Sequence, residues 1–100
     1  MSDLQHCILV KYKDTVTPDE KEKLFPEIMD LFNGLTEING IHSVKLLTNV
    51  VDRPNRYDLL IRISMDDAAL PVYDDSAIHK KWKNDYGKYL EKKAIFDYRN

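Results

Sequence analysis

The sequence predicts an α+β domain in which helices cover one face of an antiparallel sheet. Two observations carry this prediction. Some segments alternate apolar and polar residues with a period of two, as strands do, while others repeat apolar residues every three or four positions, as helices do. These segments follow one another in the order β-α-β-β-α-α-β. Because the chain has 100 residues and no low-complexity linker, we expect a single domain, residues 1–100.

The first strand is predicted at residues 4–13, which read LQHCILVKYK. Its even positions place His6 and Ile8 on one face, and its odd positions place Cys7 and Leu9 on the other. Since the centre of the strand is apolar on both sides, we expect both faces of the sheet to be covered. A chain of this length has helices for only one face, so an identical subunit is expected to cover the other.

The most regular helix is predicted to begin at Thr17. Thr17, Pro18 and Glu20 match an N-cap, a first-turn proline and the acid that closes a capping box. Apolar residues then recur at steps of three and four as far as Leu35. We expect Pro26 to bend this helix, because proline lacks the amide hydrogen of an interior helical residue.

The middle of the chain is predicted to form a hairpin followed by a short helix. The two strands of the hairpin are expected within residues 41–51, where the pattern is less regular, and at residues 57–65, where apolar residues alternate with polar ones. Asp66 and Asp67 are placed to cap the short helix, whose length Pro71 is expected to limit.

The last part of the chain is predicted to contain a long helix and a short strand. Ser76 is a suitable N-cap, and the apolar pattern that begins at Ile78 continues to about Lys92. A strand is then expected at residues 94–98. The two βαβ halves that result are those of the ferredoxin-like arrangement, with all helices on one face of the sheet.

The composition disfavours several classes of function. The chain is 43% hydrophobic and 32% charged, with a net charge of −2, whereas proteins that bind nucleic acid usually have a basic excess. No stretch approaches the roughly 18 consecutive apolar residues of a membrane helix, and no signal peptide is recognised. We therefore expect a cytoplasmic protein that contacts neither nucleic acid nor membrane. Cys7 is the only cysteine, which excludes an intrachain disulfide.

Three residues are candidates for acid–base chemistry: His6, Tyr73 and His79. Both histidines can face the space between sheet and helices, and Tyr73 shortly precedes the last helix. A neutral imidazole accepts a proton near neutral pH, and a tyrosine hydroxyl can stabilise a developing oxyanion, so the pair suits proton removal next to a carbonyl group. The same residues also fit a structural role, as half-buried polar groups bonded to backbone or water. The spacing does not decide between the two roles.

No metal or cofactor site is predicted. The histidines and Cys7 do not show the spacing of a zinc site or of a facial triad. The chain contains neither a glycine-rich phosphate loop nor a nucleophile elbow. The lysines of the last helix are expected to form a solvated face, because acidic residues lie among them.

Several segments of the chain, in their order, resemble the stress-responsive A/B-barrel (Dabb) family. They are the opening LQHCILVKYKD, the following VTPDEKEKLF, the strand RYDLLIRI, the segment VYDDSAIH and the ending LEKKAIFDY. The resemblance covers nearly the whole chain. It implies a homodimer in which two ferredoxin-like subunits pack sheet against sheet into an α+β barrel, and a small hydrophobic cavity between the sheet and the helices of each subunit.

The resemblance also implies roles for individual residues, because one member of the family is a polyketide cyclase. His79 would be the base, Tyr73 would donate a hydrogen bond to the oxyanion, and His6 would orient the substrate. The residues implied to line the cavity are Ile8, Val10, Leu24, Phe25, Ile28, Leu59, Ile61 and Leu90. The chain has Ser76 where many members have the first histidine of a His-Pro-x-His run.

The function that the resemblance implies is acid–base chemistry on a small hydrophobic or carbonyl ligand, without a cofactor. An enzyme of this kind would be an aldol-type cyclase, in the lyase class, or an isomerase. The alternative is a non-enzymatic stress protein or small-molecule-binding protein, in which the same three residues only line a polar pocket.

Overall fold

The sheet has the order β2-β3-β1-β4 with every neighbouring pair antiparallel, which confirms the predicted ferredoxin-like fold. A computed structural model describes residues 3–99. The strands are β1 (Leu4–Tyr12), β2 (Ile41–Thr48), β3 (Leu59–Met65) and β4 (Leu90–Arg99), and the α-helices are α1 (Pro18–Asn33), α2 (Ala69–Asp74) and α3 (Ala77–Lys81).

The core lies between one face of the sheet and the helices. At its centre, Ile8 of β1 is opposite Ile61 of β3, and both side chains are at most 2% exposed. Ile28 and Phe32 of α1 belong to the same buried cluster. Burying an aliphatic or aromatic side chain of this size stabilises a fold by about 1.5–3 kcal/mol. This packing holds α1 against the sheet.

The start of α1 shows the predicted capping box, which the structure confirms. The Glu20 amide donates to Thr17 Oγ1 at 3.2 Å, and the Thr17 amide donates to Glu20 Oε1 at 3.0 Å. The helix continues through Pro26 as far as Asn33. In the described part of the chain, neither this helix nor any other is long and apolar enough to cross a membrane.

The boundary between the last helix and the last strand was predicted wrongly. α3 ends at Lys81, not at about Lys92, and a π-helical turn over Trp82–Tyr86 follows it. β4 begins at Leu90, because Leu90 and the residues after it pair with the end of β1, where Tyr12 lies opposite Leu90. Hydrogen bonds to a neighbouring strand outweigh the modest helix propensity of the same residues.

The hairpin strands are both shorter than predicted. β2 ends at Thr48, and β3 begins at Leu59. Next to these ends, the Asn49 amide donates to the carbonyl oxygen of Asp58 at 3.0 Å, which closes an irregular connection over residues 50–57.

The two aspartates that were predicted to cap the short helix have other partners, so this prediction was wrong. The N-cap of α2 is Ala68, which makes no side-chain hydrogen bond. Asp66 accepts a hydrogen bond from His42, and Asp67 accepts two from the guanidinium of Arg99. Both carboxylates thus link the end of β3 to other strands instead of starting a helix.

The side of the sheet opposite the core is called the outer face here. It carries Cys7, Leu9, Leu47, Leu60 and Phe96, as the strand register shows. Phe96 is 63% exposed and Leu47 is 42% exposed, so large apolar side chains of this face are open to solvent in the single chain. Cys7 is buried among its neighbours on this face, and the burial raises the pKa of its thiol.

Candidate functional site

The fold places Tyr73 between the two histidines that the sequence singles out. The centroid of the Tyr73 ring is 5.5 Å from that of His6 and 4.7 Å from that of His79. Tyr73 comes from α2, His6 from β1 and His79 from α3. Tyr73 and His6 are buried, and His79 is half-buried. Three separate elements therefore bring these three rings together at one place between sheet and helices.

Ser76 fixes the spacing between Tyr73 and His79. Its hydroxyl donates a hydrogen bond to the carbonyl oxygen of Tyr73 at 2.7 Å and accepts one from the amide of His79 at 3.1 Å. Ser76 is thus the N-cap of α3, which confirms the prediction made for it. One side chain ties the end of α2 to the start of α3.

The hydrogen bond that His79 makes determines which of its ring nitrogens can act as a base. His79 Nδ1 lies 2.9 Å from the carbonyl oxygen of Asp74. A carbonyl oxygen only accepts hydrogen bonds, so Nδ1 carries the hydrogen of the neutral ring, by assignment from this contact. The lone pair is then on Nε2, which is available to accept a proton.

The hydroxyl of Tyr73 is buried and has no hydrogen-bond partner among the described residues. Leaving such a group unsatisfied costs about 1–3 kcal/mol, so native proteins rarely do so without a reason. Burial, and to a lesser degree the charge of Asp74, raises the pKa of Tyr73 above its ordinary value. The hydroxyl therefore keeps its proton near neutral pH and can donate a hydrogen bond to a bound oxygen.

Asp97 is a further member of this group that the sequence reasoning missed. It lies opposite His6 in the ladder of β1 and β4, and its Oδ1 accepts a hydrogen bond from His6 Nδ1 at 2.6 Å. A carboxylate partner of this kind fixes the orientation of an imidazole ring. The available signal in the sequence was an acidic residue two positions after Ile95, which places it on the same, helix-facing side of β4. The partner of this acid depends on the register between β4 and β1, which the sequence does not show.

The residues implied to line a cavity are only partly brought together around open space. Six of them belong to the packed core and are at most 6% exposed: Ile8, Val10, Leu24, Ile28, Leu59 and Ile61. Leu90 is half-buried against this core. Phe25 and Leu59 line an open pocket of about 630 Å³ at the other end of β1, and neither His6, Tyr73 nor His79 lines it.

Asp58 links residues of α1 and β1 that line this open pocket. Asp58 Oδ1 forms an ion pair with Lys21 Nζ at 3.1 Å, and Asp58 Oδ2 accepts a hydrogen bond from the Tyr12 amide at 2.8 Å. Burial, and then the charge of Asp58, raises the pKa of Tyr12 to about 12. Tyr12 and Tyr73 are thus two tyrosines that resist ionisation in the folded chain.

We expect these two tyrosines to make the folded state less stable at high pH. Both have a higher pKa in the folded chain than the value of about 10 in an unfolded chain. Below about pH 10 both states keep the protons, whereas above it the unfolded chain releases them and the folded chain does not. The free energy of unfolding should therefore fall as the pH rises from about 10 towards the folded pKa values.

Urea unfolding between about pH 8 and about pH 11 measures this effect. Tyr73→Phe should make the decline less steep. Tyr89→Phe, which removes a hydroxyl from a half-exposed ring, is the control and should keep the wild-type slope. A wild-type stability that stays constant up to about pH 11 would contradict the expectation.

The fold and the site define a ferredoxin-like domain with a tyrosine and two histidines between sheet and helices. Residues 4–100 match the family described as Stress responsive A/B Barrel Domain (Dabb), and the chain belongs to this family, as the sequence resemblance predicted. It is similar to olivetolic acid cyclase of Cannabis sativa, with 24% identity over 96 residues that cover 95% of this chain and 94% of the relative.

Solved structures show the same fold at lower identity. A dimeric ferredoxin-like protein from Thermobifida fusca is similar with a TM-score of 0.81 and 18% identity, over 99% of this chain and 92% of that one. A hydroxynitrile lyase from Passiflora edulis is similar with a TM-score of 0.74 and 14% identity, over 98% of this chain and 93% of that one.

Proposed function

We propose that this protein is a homodimeric acid–base catalyst that acts on a small carbonyl compound without a cofactor. The site is formed by Tyr73, His79 and His6. One observation carries the proposal: the hydroxyl of Tyr73 is buried without a partner among residues 3–99, next to a histidine whose Nδ1 is bonded to the backbone. A ligand oxygen would satisfy that hydroxyl, and a proton on the same ligand would be within reach of the free ring nitrogen.

In the proposed reaction, His79 Nε2 removes a proton from the carbon next to the carbonyl group. The electron pair of the C–H bond moves into the new C–C double bond, and the carbonyl oxygen becomes an enolate that Tyr73 stabilises by a hydrogen bond. The enolate carbon then attacks a second carbonyl of the same molecule, whose oxygen takes up a proton, or, where the enolate is conjugated with a C–C double bond, a more distant carbon takes up the proton. His79 returns its proton in either case, and His6, held by Asp97, orients the ligand.

Two relatives support an enzymatic use of this fold. Their names are those of enzymes, a cyclase and a hydroxynitrile lyase. The chain retains the tyrosine and both histidines that the family resemblance implies for catalysis.

A second candidate function is binding of a small molecule or a stress role without catalysis. It is favoured by the tight packing of the interior, since Ile28 and Ile61 are fully buried and leave the core closed around them. In that case the open pocket beside Phe25 would be the place where a ligand binds.

The homodimer is proposed from the outer face. Its exposed Phe96 and Leu47 form, with Leu9 and Leu60, an apolar surface that a second copy of the sheet would cover. The relative from Thermobifida fusca is described as dimeric, which supports the same assembly.

Exchange of α-protons for deuterium tests the catalytic proposal. A series of 3-oxo esters of increasing chain length is incubated in D2O with the protein, and proton NMR measures the loss of the α-proton signal. We expect exchange faster than in buffer with an equal concentration of imidazole. A rise in melting temperature without faster exchange would support the binding function instead, and no effect of either kind would contradict both.

A further inference from the structure

We propose that Asp3, His42 and Asp66 form a binding site for a divalent transition-metal ion of the zinc type. Each residue offers one ligand atom, and these three atoms lie within 4.8 Å of one another. His42 Nε2 is 2.9 Å from Asp66 Oδ1 and 3.9 Å from Asp3 Oδ1. The site lies outside the group of Tyr73, His79 and His6, and the proposal does not depend on the proposed function.

A bulge in β2 directs His42 towards Asp66. Ile41 pairs with Met65 and Ser43 with Ser64, so His42 is the additional residue that has no partner in β3. Bulges of this kind change the direction of a side chain and are frequent beside functional sites. The register thus explains why His42 leaves the ladder and reaches a carboxylate that follows β3.

Gly40 allows the two backbone segments to come close enough for this contact. Its φ is +93°, a conformation that side chains disfavour, and its carbonyl oxygen accepts a hydrogen bond from the Asp66 amide at 2.8 Å. A Cβ at Gly40 would lie 3.1 Å from Ala69 Cβ and 3.5 Å from Asp66 Oδ2. A glycine is therefore required where the bulge begins, and the position of Asp66 is fixed by the backbone.

The third ligand, Asp3, is oriented by residues behind it. Ser64 Oγ donates a hydrogen bond to Asp3 Oδ2 at 3.4 Å, and Gln5 Nε2 donates one to Ser64 Oγ at 3.1 Å. Gln5 is itself only 4% exposed. Hydrogen bonds to the second oxygen of a carboxylate orient the first oxygen towards a metal. Here the first oxygen, Oδ1, is the one nearest to His42.

The charges around the cluster favour a cation. Among residues 3–99, Asp3 and Asp66 form ion pairs only with His42, while the adjacent Asp67 is paired with Arg99. Two carboxylates would neutralise a divalent ion. The side chains are between 43% and 59% exposed, so an ion can enter from solvent.

One imidazole and two carboxylates are a donor set that zinc accepts, with water completing a tetrahedron. Bonds of about 2.0–2.2 Å place neighbouring ligand atoms about 3.3–3.6 Å apart in such a site. The separations of 2.9 and 3.9 Å from His42 lie on either side of this range, and all three atoms lie within 4.8 Å of one another, so ligation requires the side chains to shift towards this geometry. The ion would link the start of β1, the start of β2 and the end of β3.

Isothermal titration of the purified full chain with Zn²⁺ alone tests the proposal. A pH of about 8 is suitable, because the hydrogen bond with Asp66 raises the pKa of His42 and a ligating imidazole must be neutral. We expect one ion per chain. His42→Ala and Asp66→Asn should each weaken binding by about tenfold or more, and NMR should show the imidazole signals of His42, not those of His79, shifting with Zn²⁺.

Two control variants keep the test specific. Asp67→Asn removes a neighbouring acid that is paired with Arg99, and His79→Gln removes another accessible histidine; both should bind Zn²⁺ as the wild type does. The proposal is overturned if His42→Ala binds normally, if His79→Gln loses binding, or if Mg²⁺ binds as tightly as Zn²⁺ independently of His42. An absence of binding up to about millimolar Zn²⁺ overturns it as well.

Discussion

Replacing His79 with glutamine is expected to slow α-proton exchange on a 3-oxo ester by about 10²–10⁴-fold, the usual contribution of a general base. Glutamine retains a side chain of similar length but has no lone pair on nitrogen that accepts a proton at neutral pH. The hydrogen bond of His79 with Asp74 is made by Nδ1, so the loss concerns the free Nε2. Lys80→Ala, which changes an exposed neighbour on α3, should exchange at the wild-type rate.

Tyr73→Phe distinguishes a catalytic role of the Tyr73 hydroxyl from a structural role. The hydroxyl has no partner among the described residues, so its removal takes no hydrogen bond from the fold and relieves an unsatisfied buried group. We expect unchanged or higher stability in urea together with a fall of about 10²-fold or more in exchange. Tyr89→Phe is the matched control for the rate. A variant that loses stability and keeps its rate would show that the hydroxyl serves the fold.

The sequence predicts most of this fold because most of its signals are local. The capping box of Thr17 and Glu20 lies within four residues, and the alternation in β1 is complete within nine. The border between α3 and β4 was missed because it depends on a partner far along the chain. Leu90 extends a strand since Tyr12 offers it a ladder position, and no pattern near Leu90 contains that information.

The difference between local signals and contacts with distant parts of the chain also explains which site residues were predicted. Tyr73, Ser76 and His79 lie on seven consecutive residues, so one serine can join them, and the sequence singled out Tyr73 and His79 as candidates. Asp97 and His42 were not assigned a role, because the first needs the register of β4 on β1 and the second needs a bulge in β2. The packing of the interior was also inaccessible, since alternation shows which residues are buried and not how completely they fill the space.

An aspartate in place of Phe96 is expected to convert the proposed dimer into monomers. Phe96 lies on the outer face beside Cys7 and is 63% exposed in one chain, so a dimer through this face would bury it. Burying an unpaired carboxylate costs several kcal/mol, and a two-fold interface contains the substitution twice. The fold of the single chain should tolerate the change, because the side chain is exposed there.

Sedimentation equilibrium measures the mass of the assembly. A concentration of about 10 μM is suitable, because interfaces of standard size have dissociation constants from micromolar to picomolar. The wild type should have twice the mass of one chain, and Phe96→Asp the mass of one. Val50→Asp, at a loop position that is 91% exposed, should stay dimeric. A monomeric wild type would contradict the dimer, and a dimeric Phe96→Asp would contradict the outer face as its interface. Since Tyr73 and His79 come from one chain, monomers that remain folded should still exchange α-protons, which separates assembly from catalysis.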